Sequence, residues 1–139
     1  MVKLIITGHG KFATGLMSVI EVVLGKQENL IGIDFNDQDL ETYTHEIETA
    51  VRDAVQNKEG VIIFTDLIGG TPFRIVSSIS GKYQNVYILS GTNIPMLMEA
   101  LLKRESLKAD DLIVSIIEIG KKGIESLDVL LKQKRKINV

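Results

Sequence analysis

The sequence of 139 residues contains no cysteine, no tryptophan and only two histidines. A chain without cysteine has no disulfide, no thiolate nucleophile and no cysteine-ligated zinc, and this composition suits a reducing cytoplasm. The two histidines, His9 and His45, lie far apart in the sequence and make a poor set of metal ligands. We therefore expect neither a metal nor a bound organic cofactor.

The chain also lacks an excess of charge and any long hydrophobic run. Its formal net charge of -2 gives no reason to expect nucleic acid or an anionic membrane as the main partner. No apolar run approaches the roughly 18 residues that a membrane-spanning helix needs. The sequence predicts a soluble, cytoplasmic protein with a single domain over residues 1–131 and a basic tail over residues 132–139.

Short apolar runs rich in β-branched residues alternate with longer segments of helical period. This pattern predicts an α/β fold with an open, doubly wound, mainly parallel sheet and helices on both of its faces. Four nearly continuous apolar runs are typical of buried parallel strands. These strands are expected at Val2–Thr7, Leu30–Phe35, Val61–Thr65 and Val86–Ser90.

Helix boundaries are signalled by capping residues and by proline. Thr71 is expected to be the N-cap of a third helix with Pro72 at its first position, and a fourth helix is expected near Asn93. A fifth helix follows Lys108, although a β-branched run makes this segment ambiguous. A final antiparallel strand is predicted near Ile124–Val129. The first two helices are expected at about Lys11–Leu24 and Asp39–Gln56.

Polar, glycine-bearing loops follow the first and third predicted strands. His9 lies between Gly8 and Gly10 after the first strand, and Asp66 follows the third. The carboxyl ends of parallel strands meet at one edge of the sheet, where ligands bind. If the first and third strands are neighbours, as in the flavodoxin-like order, His9 and Asp66 lie side by side.

This pairing would suit phosphoryl transfer. A carboxylate that accepts the Nδ1 proton of an imidazole leaves Nε2 with a lone pair that can attack an electrophile. The backbone N–H groups of Gly69 and Gly70, together with the hydroxyl of Thr71 at a helix N-terminus, form a natural seat for a phosphoryl group. The two loops together favour a phosphohistidine intermediate at His9.

A rival interpretation is a small dinucleotide-binding module. The run from Gly8 to Ala13 satisfies the pattern G-x-G-x-x-A, and Asp34 lies at the end of the second strand in the ribose-binding position. This reading leaves Asp66 and the glycine pair unexplained. A receiver-type phosphoacceptor at Asp66 is weaker still, because acidic residues that would hold a metal at the end of the first strand are missing.

Three motifs resemble the mannose-family enzyme IIA component of the bacterial phosphoenolpyruvate-dependent sugar phosphotransferase system. They are the turn around His9, the run from Asp66 to Phe73, and the run from Asn93 to Leu97, each after the expected strand. The resemblance covers nearly the whole chain. It implies a phosphotransferase in which His9 accepts a phosphoryl group through Nε2, Asp66 orients His9 through Nδ1, and Thr71 hydrogen-bonds the phosphoryl group.

The resemblance also implies partners. The donor would be the histidine-containing phosphocarrier protein and the acceptor a IIB component, with the membrane involved only through the transporter subunits. Because the chain stops at Val139, we expect IIB to be a separate polypeptide. A homodimer is implied as well, in some members with an exchanged C-terminal strand.

A relay must dock two proteins over His9, so apolar residues on the rim of the site should matter. Phe12, Phe73 and Met96 are the candidates, although apolar residues at helical spacing usually face the core. His45 falls on the polar side of the second helix and is expected to be dispensable.

Overall fold

The computed structural model describes residues 1–36 and 39–137. Strands and helices alternate along most of the chain, as the apolar pattern predicted. The strands are β1 (Lys3–His9), β2 (Leu30–Phe35), β3 (Val61–Phe64) and β4 (Val86–Leu89). The helices are α1 (Phe12–Leu24), α2 (Leu40–Ala54), α3 (Thr71–Ser80), α4 (Ile94–Lys103), α5 (Ala109–Lys122) and α6 (Leu127–Ile137).

The four strands form one parallel sheet in the order β2-β1-β3-β4. This confirms the predicted open, doubly wound arrangement and the neighbour relation between β1 and β3. β1 continues two residues beyond its predicted end, so that His9 pairs with Phe35 across β1 and β2. The carboxyl ends of the two central strands therefore carry His9 and, just after β3, Asp66.

Both faces of the sheet are covered, because side chains alternate between the faces along each strand. Ile6 and Phe64 are buried on the face that α1, α4 and α5 cover, while Ile5 and Ile63 are buried against α2 and α3. The helices on the first face contribute Ala13, Ile20, Leu97, Leu112 and Ile116 to the core, and those on the second contribute Tyr43, Ile47, Val76 and Ile79.

The C-terminal region differs from the prediction. The segment after Lys108 is helical, as favoured, but the fifth, antiparallel strand expected near Ile124–Val129 is wrong. Residues 124–126 are a connection, and α6 begins at Leu127. Every residue of α6 is exposed. Lys132 and Lys136, expected in a frayed tail, belong to this helix, whereas residues 138 and 139 lie outside the described residues.

None of the helices in residues 1–36 and 39–137 is long and apolar enough to cross a membrane.

Candidate active site

His9 and Asp66 are bonded at the carboxyl edge of the sheet. Nδ1 of His9 lies 2.8 Å from Oδ2 of Asp66, and the backbone N–H of His9 donates to the same oxygen at 2.8 Å. An ionised carboxylate only accepts hydrogen bonds, so Nδ1 carries the proton and Nε2 keeps its lone pair in the neutral ring. The His9 side chain is 44% exposed and that of Asp66 only 12%. The arrangement therefore presents Nε2 outward from a carboxylate that is largely covered.

The hydrogen bonds keep Asp66 ionised. Burial alone would raise the pKa of Asp66, but hydrogen bonds from the backbone and ring of His9 and from the backbone N–H of Leu67 outweigh it. The pKa of Asp66 consequently lies below its ordinary value. The Leu67 bond, 2.7 Å to Oδ1, engages the second carboxylate oxygen. Asp66 is thus both charged and fixed in orientation.

Two glycines allow the close packing around this pair. A Cβ added to Gly70 would lie 2.9 Å from Cε1 of His9 and 3.6 Å from Nε2, so the imidazole faces the beginning of α3. A Cβ on Gly8 would lie 2.9 Å from the carboxylate carbon of Asp66 and closer still to the ring of Phe12. Neither position has room for a side chain without displacing the site.

The start of α3 differs by one residue from the prediction. Gly70, in an extended conformation with φ -69° and ψ 168°, is the N-cap, and Thr71 is the first helical residue instead of the cap. Thr71 and its hydroxyl thus lie in the first turn at a helix N-terminus, where backbone N–H groups and the helix dipole favour an anion.

Hydrogen bonds brace the loop that carries Asp66 against the loop after β4. The Thr92 hydroxyl donates to the carbonyl of Thr65 at 2.8 Å, and the Thr65 hydroxyl donates to the carbonyl of Leu89 at 2.7 Å. The backbone N–H of Gly91 donates to the carbonyl of Asp66 at 2.6 Å. Asp66 is thus held from its backbone as well as from its side chain.

Asp34, the key residue of the dinucleotide interpretation, is engaged by α1. Its carboxylate accepts hydrogen bonds from the backbone N–H of Thr14 at 3.0 Å and from the Thr14 hydroxyl at 2.6 Å. The backbone N–H of His9, which that interpretation would direct at a pyrophosphate, already donates to Asp66. Both observations favour the histidine site over a dinucleotide loop.

The three residues expected on the rim differ in exposure, because Met96 is buried whereas Phe12 and Phe73 are half-buried. Met96, in the first turn of α4 three residues after the N-cap Asn93, is 6% exposed because its side chain packs against Gly120. The exposed apolar side chains beside Asp66 are instead Leu67 and Ile68, at 65% and 77%. Sequence reasoning missed these two residues. The signal that could have identified them is a pair of large apolar side chains beside a glycine pair in a turn, which indicates exposed apolar surface.

His45 is exposed on α2, as its helical phase predicted. Among the described residues there is no group of three or more His, Asp or Glu side chains that could hold a metal ion.

An exposed histidine fixed by a carboxylate at the edge of an open α/β sheet is suited to nucleophilic chemistry at Nε2. A family model described as "PTS system fructose IIA component" matches residues 3–117. The chain belongs to this family of IIA components of the sugar phosphotransferase system (PTS).

Relatives agree in sequence and in structure. The chain is 29% identical to the "PTS system fructose-specific EIIA component" of Bacillus subtilis, over 90% of this chain and 86% of that protein. It is 32% identical to the "PTS system mannose-specific EIIAB component" of Escherichia coli, over 91% of this chain but only 39% of that longer protein. A crystal structure of component EIIA from Streptococcus agalactiae superposes with a TM-score of 0.82 at 35% identity, covering 93% of this chain and 99% of that one.

Proposed function

We propose that the protein is a phosphoryl carrier, in which Nε2 of His9 accepts a phosphoryl group from one protein and passes it to another. The observation that carries this proposal is the 2.8 Å contact between Nδ1 and Asp66, with a His9 side chain that remains 44% exposed. A carboxylate in this place fixes the tautomer and stabilises the ring as it gains positive character. Nε2, which keeps its lone pair, is then the nucleophile.

The transfer step replaces one nitrogen–phosphorus bond by another. The Nε2 lone pair attacks phosphorus while the bond from phosphorus to the donor's imidazole nitrogen breaks, and that nitrogen recovers the electron pair. A new nitrogen–phosphorus bond forms on His9, and the Nδ1 proton stays between His9 and Asp66. In the second transfer, a nucleophilic atom of the acceptor attacks phosphorus while the bond between phosphorus and Nε2 breaks, and Nε2 recovers its lone pair.

The beginning of α3 is proposed to receive the phosphoryl oxygens. The His9 ring faces Gly70, and Thr71, which carries a hydroxyl, is the next residue in the chain. The backbone N–H of Gly69 adds a donor, whereas the backbone N–H of Gly70 already donates to the carbonyl of Leu67 at 3.1 Å. A helix N-terminus also stabilises negative charge. Such donors act on the transferring group, where its negative charge is concentrated.

The proposed donor is the histidine-containing phosphocarrier protein and the proposed acceptor is a IIB component. The E. coli relative carries the printed designation EIIAB and is much longer than the matched region. Exposed Leu67 and Ile68 next to Asp66 supply apolar contact area for both partners. A homodimer is the assembly that we propose on the family resemblance.

The test is phosphorylation by phosphoenolpyruvate, enzyme I and the phosphocarrier protein. We expect one acid-labile, alkali-stable phosphoryl group per chain, which is lost in His9→Ala. His45→Ala is the matched control, because this second histidine is exposed and lies on α2. An adduct that survives His9→Ala, or no adduct at all, would refute the carrier function.

A further inference from the structure

The imidazole of His9 is contacted by an aromatic ring as well as by Asp66. The ring centroids of His9 and Phe35 are 6.0 Å apart with an interplanar angle of 65°, an edge-to-face arrangement. Phe35 is the last residue of β2 and the register partner of His9. The backbone N–H of Gly10 donates to the carbonyl of Phe35 at 2.9 Å, which holds the two strand ends together.

Phe35 is itself held by the core. Its ring lies 4.7 Å from that of Tyr43, which is fully buried on α2. The Tyr43 hydroxyl lies 2.6 Å from Oγ1 of Thr7, and Thr7 donates to the carbonyl of Ile33 at 2.7 Å. Because the single Thr7 proton is used in that bond, the Tyr43 hydroxyl is the donor to Thr7. A continuous series of contacts therefore joins Thr7 in β1, through Tyr43 and Phe35, to the imidazole of His9.

One hydrogen bond does not fix the orientation of the His9 imidazole. The contact between Nδ1 and Asp66 places one ring atom, but the ring remains free to turn about that contact, and turning moves Nε2. A second contact away from Nδ1 removes this freedom. Phe35 supplies such a contact in the described structure, and edge-to-face aromatic pairs have a preferred geometry.

We infer that Phe35 is a positioning residue, which acts through His9 and directs Nε2 toward Gly70 and Thr71. The inference rests on the proposed function and deepens it: Asp66 sets the protonation of the ring, and Phe35, backed by Tyr43, sets its direction. A nucleophile that is already oriented in the ground state reacts faster, because less rotational freedom is lost on reaching the transition state.

The first test uses phosphoramidate, a small phosphoryl donor that requires no protein partner. We expect Phe35→Leu to lower the rate of phosphorylation at Nε2 roughly three- to tenfold, since that is the factor an edge-to-face pair supplies. The fraction of phosphohistidine formed at Nδ1 should rise. Phe35→Tyr keeps the ring and should restore both the rate and the product ratio.

Tyr83→Leu is the matched control. Tyr83 is also half-buried and packs against the same core cluster as Phe35, but it precedes β4, at the edge of the sheet opposite His9, and no ring contact joins it to His9 in the part of the chain that the structure describes. We expect its rate and product ratio to match the wild type. Unchanged values in Phe35→Leu, or equal losses in Phe35→Leu and Tyr83→Leu, would overturn the positioning role.

The second test needs no phosphorylation. Side-chain NMR of unphosphorylated, His9-labelled protein should show a single ring orientation in the wild type and Phe35→Tyr, and averaging in Phe35→Leu with the Nδ1-protonated tautomer retained. An ordered ring in Phe35→Leu would overturn the inference. If the phosphocarrier protein fails to phosphorylate the wild type, the carrier function falls, while this ring measurement still decides whether Phe35 orients His9.

Discussion

The missing side chain at position 70 determines how closely α3 approaches the reactive imidazole. Gly70 has φ -69°, which alanine adopts without strain, yet the added Cβ would meet Cε1 of His9 at 2.9 Å. We expect Gly70→Ala to fold normally but to displace the ring and slow phosphoryl acceptance by about tenfold or more. Stopped-flow or quench-flow transfer from the phosphocarrier protein measures this rate.

Gly15→Ala is the control for that substitution. A Cβ on Gly15 would meet nothing within 4 Å, and alanine favours the helix α1. Its transfer rate should equal that of the wild type. A Gly70→Ala protein that transfers at the wild-type rate would show that the loop yields and that close approach is unnecessary.

The charge of Asp66 makes a contribution to stability that depends on pH. Because its pKa is lowered in the folded state, this contribution is present above the unfolded pKa of about 4 and is lost as the pH falls through the folded value. Asp66→Asn should therefore reduce the free energy of unfolding at neutral pH, and the difference from wild type should shrink on acidification below about pH 4. Urea unfolding at several pH values tests this expectation, and a constant difference would contradict it.

At the scale of elements, Tyr43 joins α2 to the sheet through its buried hydroxyl. Burial raises the pKa of Tyr43 to about 12, and the charge of Asp66 adds to this effect. The neutral hydroxyl therefore stabilises the fold below its unfolded pKa of about 10, and this stabilisation is lost as the pH rises toward 12.

We expect the wild type to lose stability between about pH 10 and pH 12 more steeply than Tyr43→Phe. Near neutral pH the variant should be less stable by about 1 kcal/mol, the usual worth of one buried hydrogen bond. Chemical unfolding followed by circular dichroism provides both numbers. Parallel stability curves for the two proteins would contradict the assignment of Tyr43 as donor.

The elements themselves were largely predictable from periodicity, whereas their ends and the C-terminal segment were not. β-branched runs such as Val61–Phe64 identified the strands because buried parallel strands need apolar residues on both faces. Leu127 and Val129 suggested a strand by the same chemistry, yet the described segment is a helix that no layer of the core covers. At Thr71, a glycine took the cap position one residue earlier, which a preference for threonine caps does not reveal.

At the scale of the whole molecule, the topology of the sheet explains why the contact between His9 and Asp66 could be predicted from the sequence. His9 and Asp66 are 57 positions apart, and only the rule that ligands collect at the carboxyl edge of a parallel sheet connects them. Sequence could not reveal the approach of the imidazole to Gly70, nor the ring of Phe35, because both depend on where β2 and α3 lie relative to β1. Local sequence patterns identify the residues of the site, whereas the packing of the helices on the sheet determines the distances between those residues.

The exposure of α6 predicts how much this last helix contributes to the stability of the protein. All described residues of α6 are exposed, so a chain that ends at Ser126 should lose less than about 0.5 kcal/mol of unfolding free energy. Thermal unfolding of the shortened and full chains, measured over a range of protein concentrations, checks this expectation. A large loss that grows with concentration would show that α6 is covered by a second copy.

On the proposed function, the geometry around His9 also determines the kinetic order of phosphoryl transfer. Nδ1 is hydrogen-bonded to Asp66 and the ring is in edge-to-face contact with Phe35, which leaves Nε2 as the ring nitrogen that both partners use. Donor and acceptor must then visit the same opening in turn, and the first must leave before the second arrives. Initial rates should follow a ping-pong pattern with parallel double-reciprocal plots, and an excess of unphosphorylated acceptor should compete with the donor.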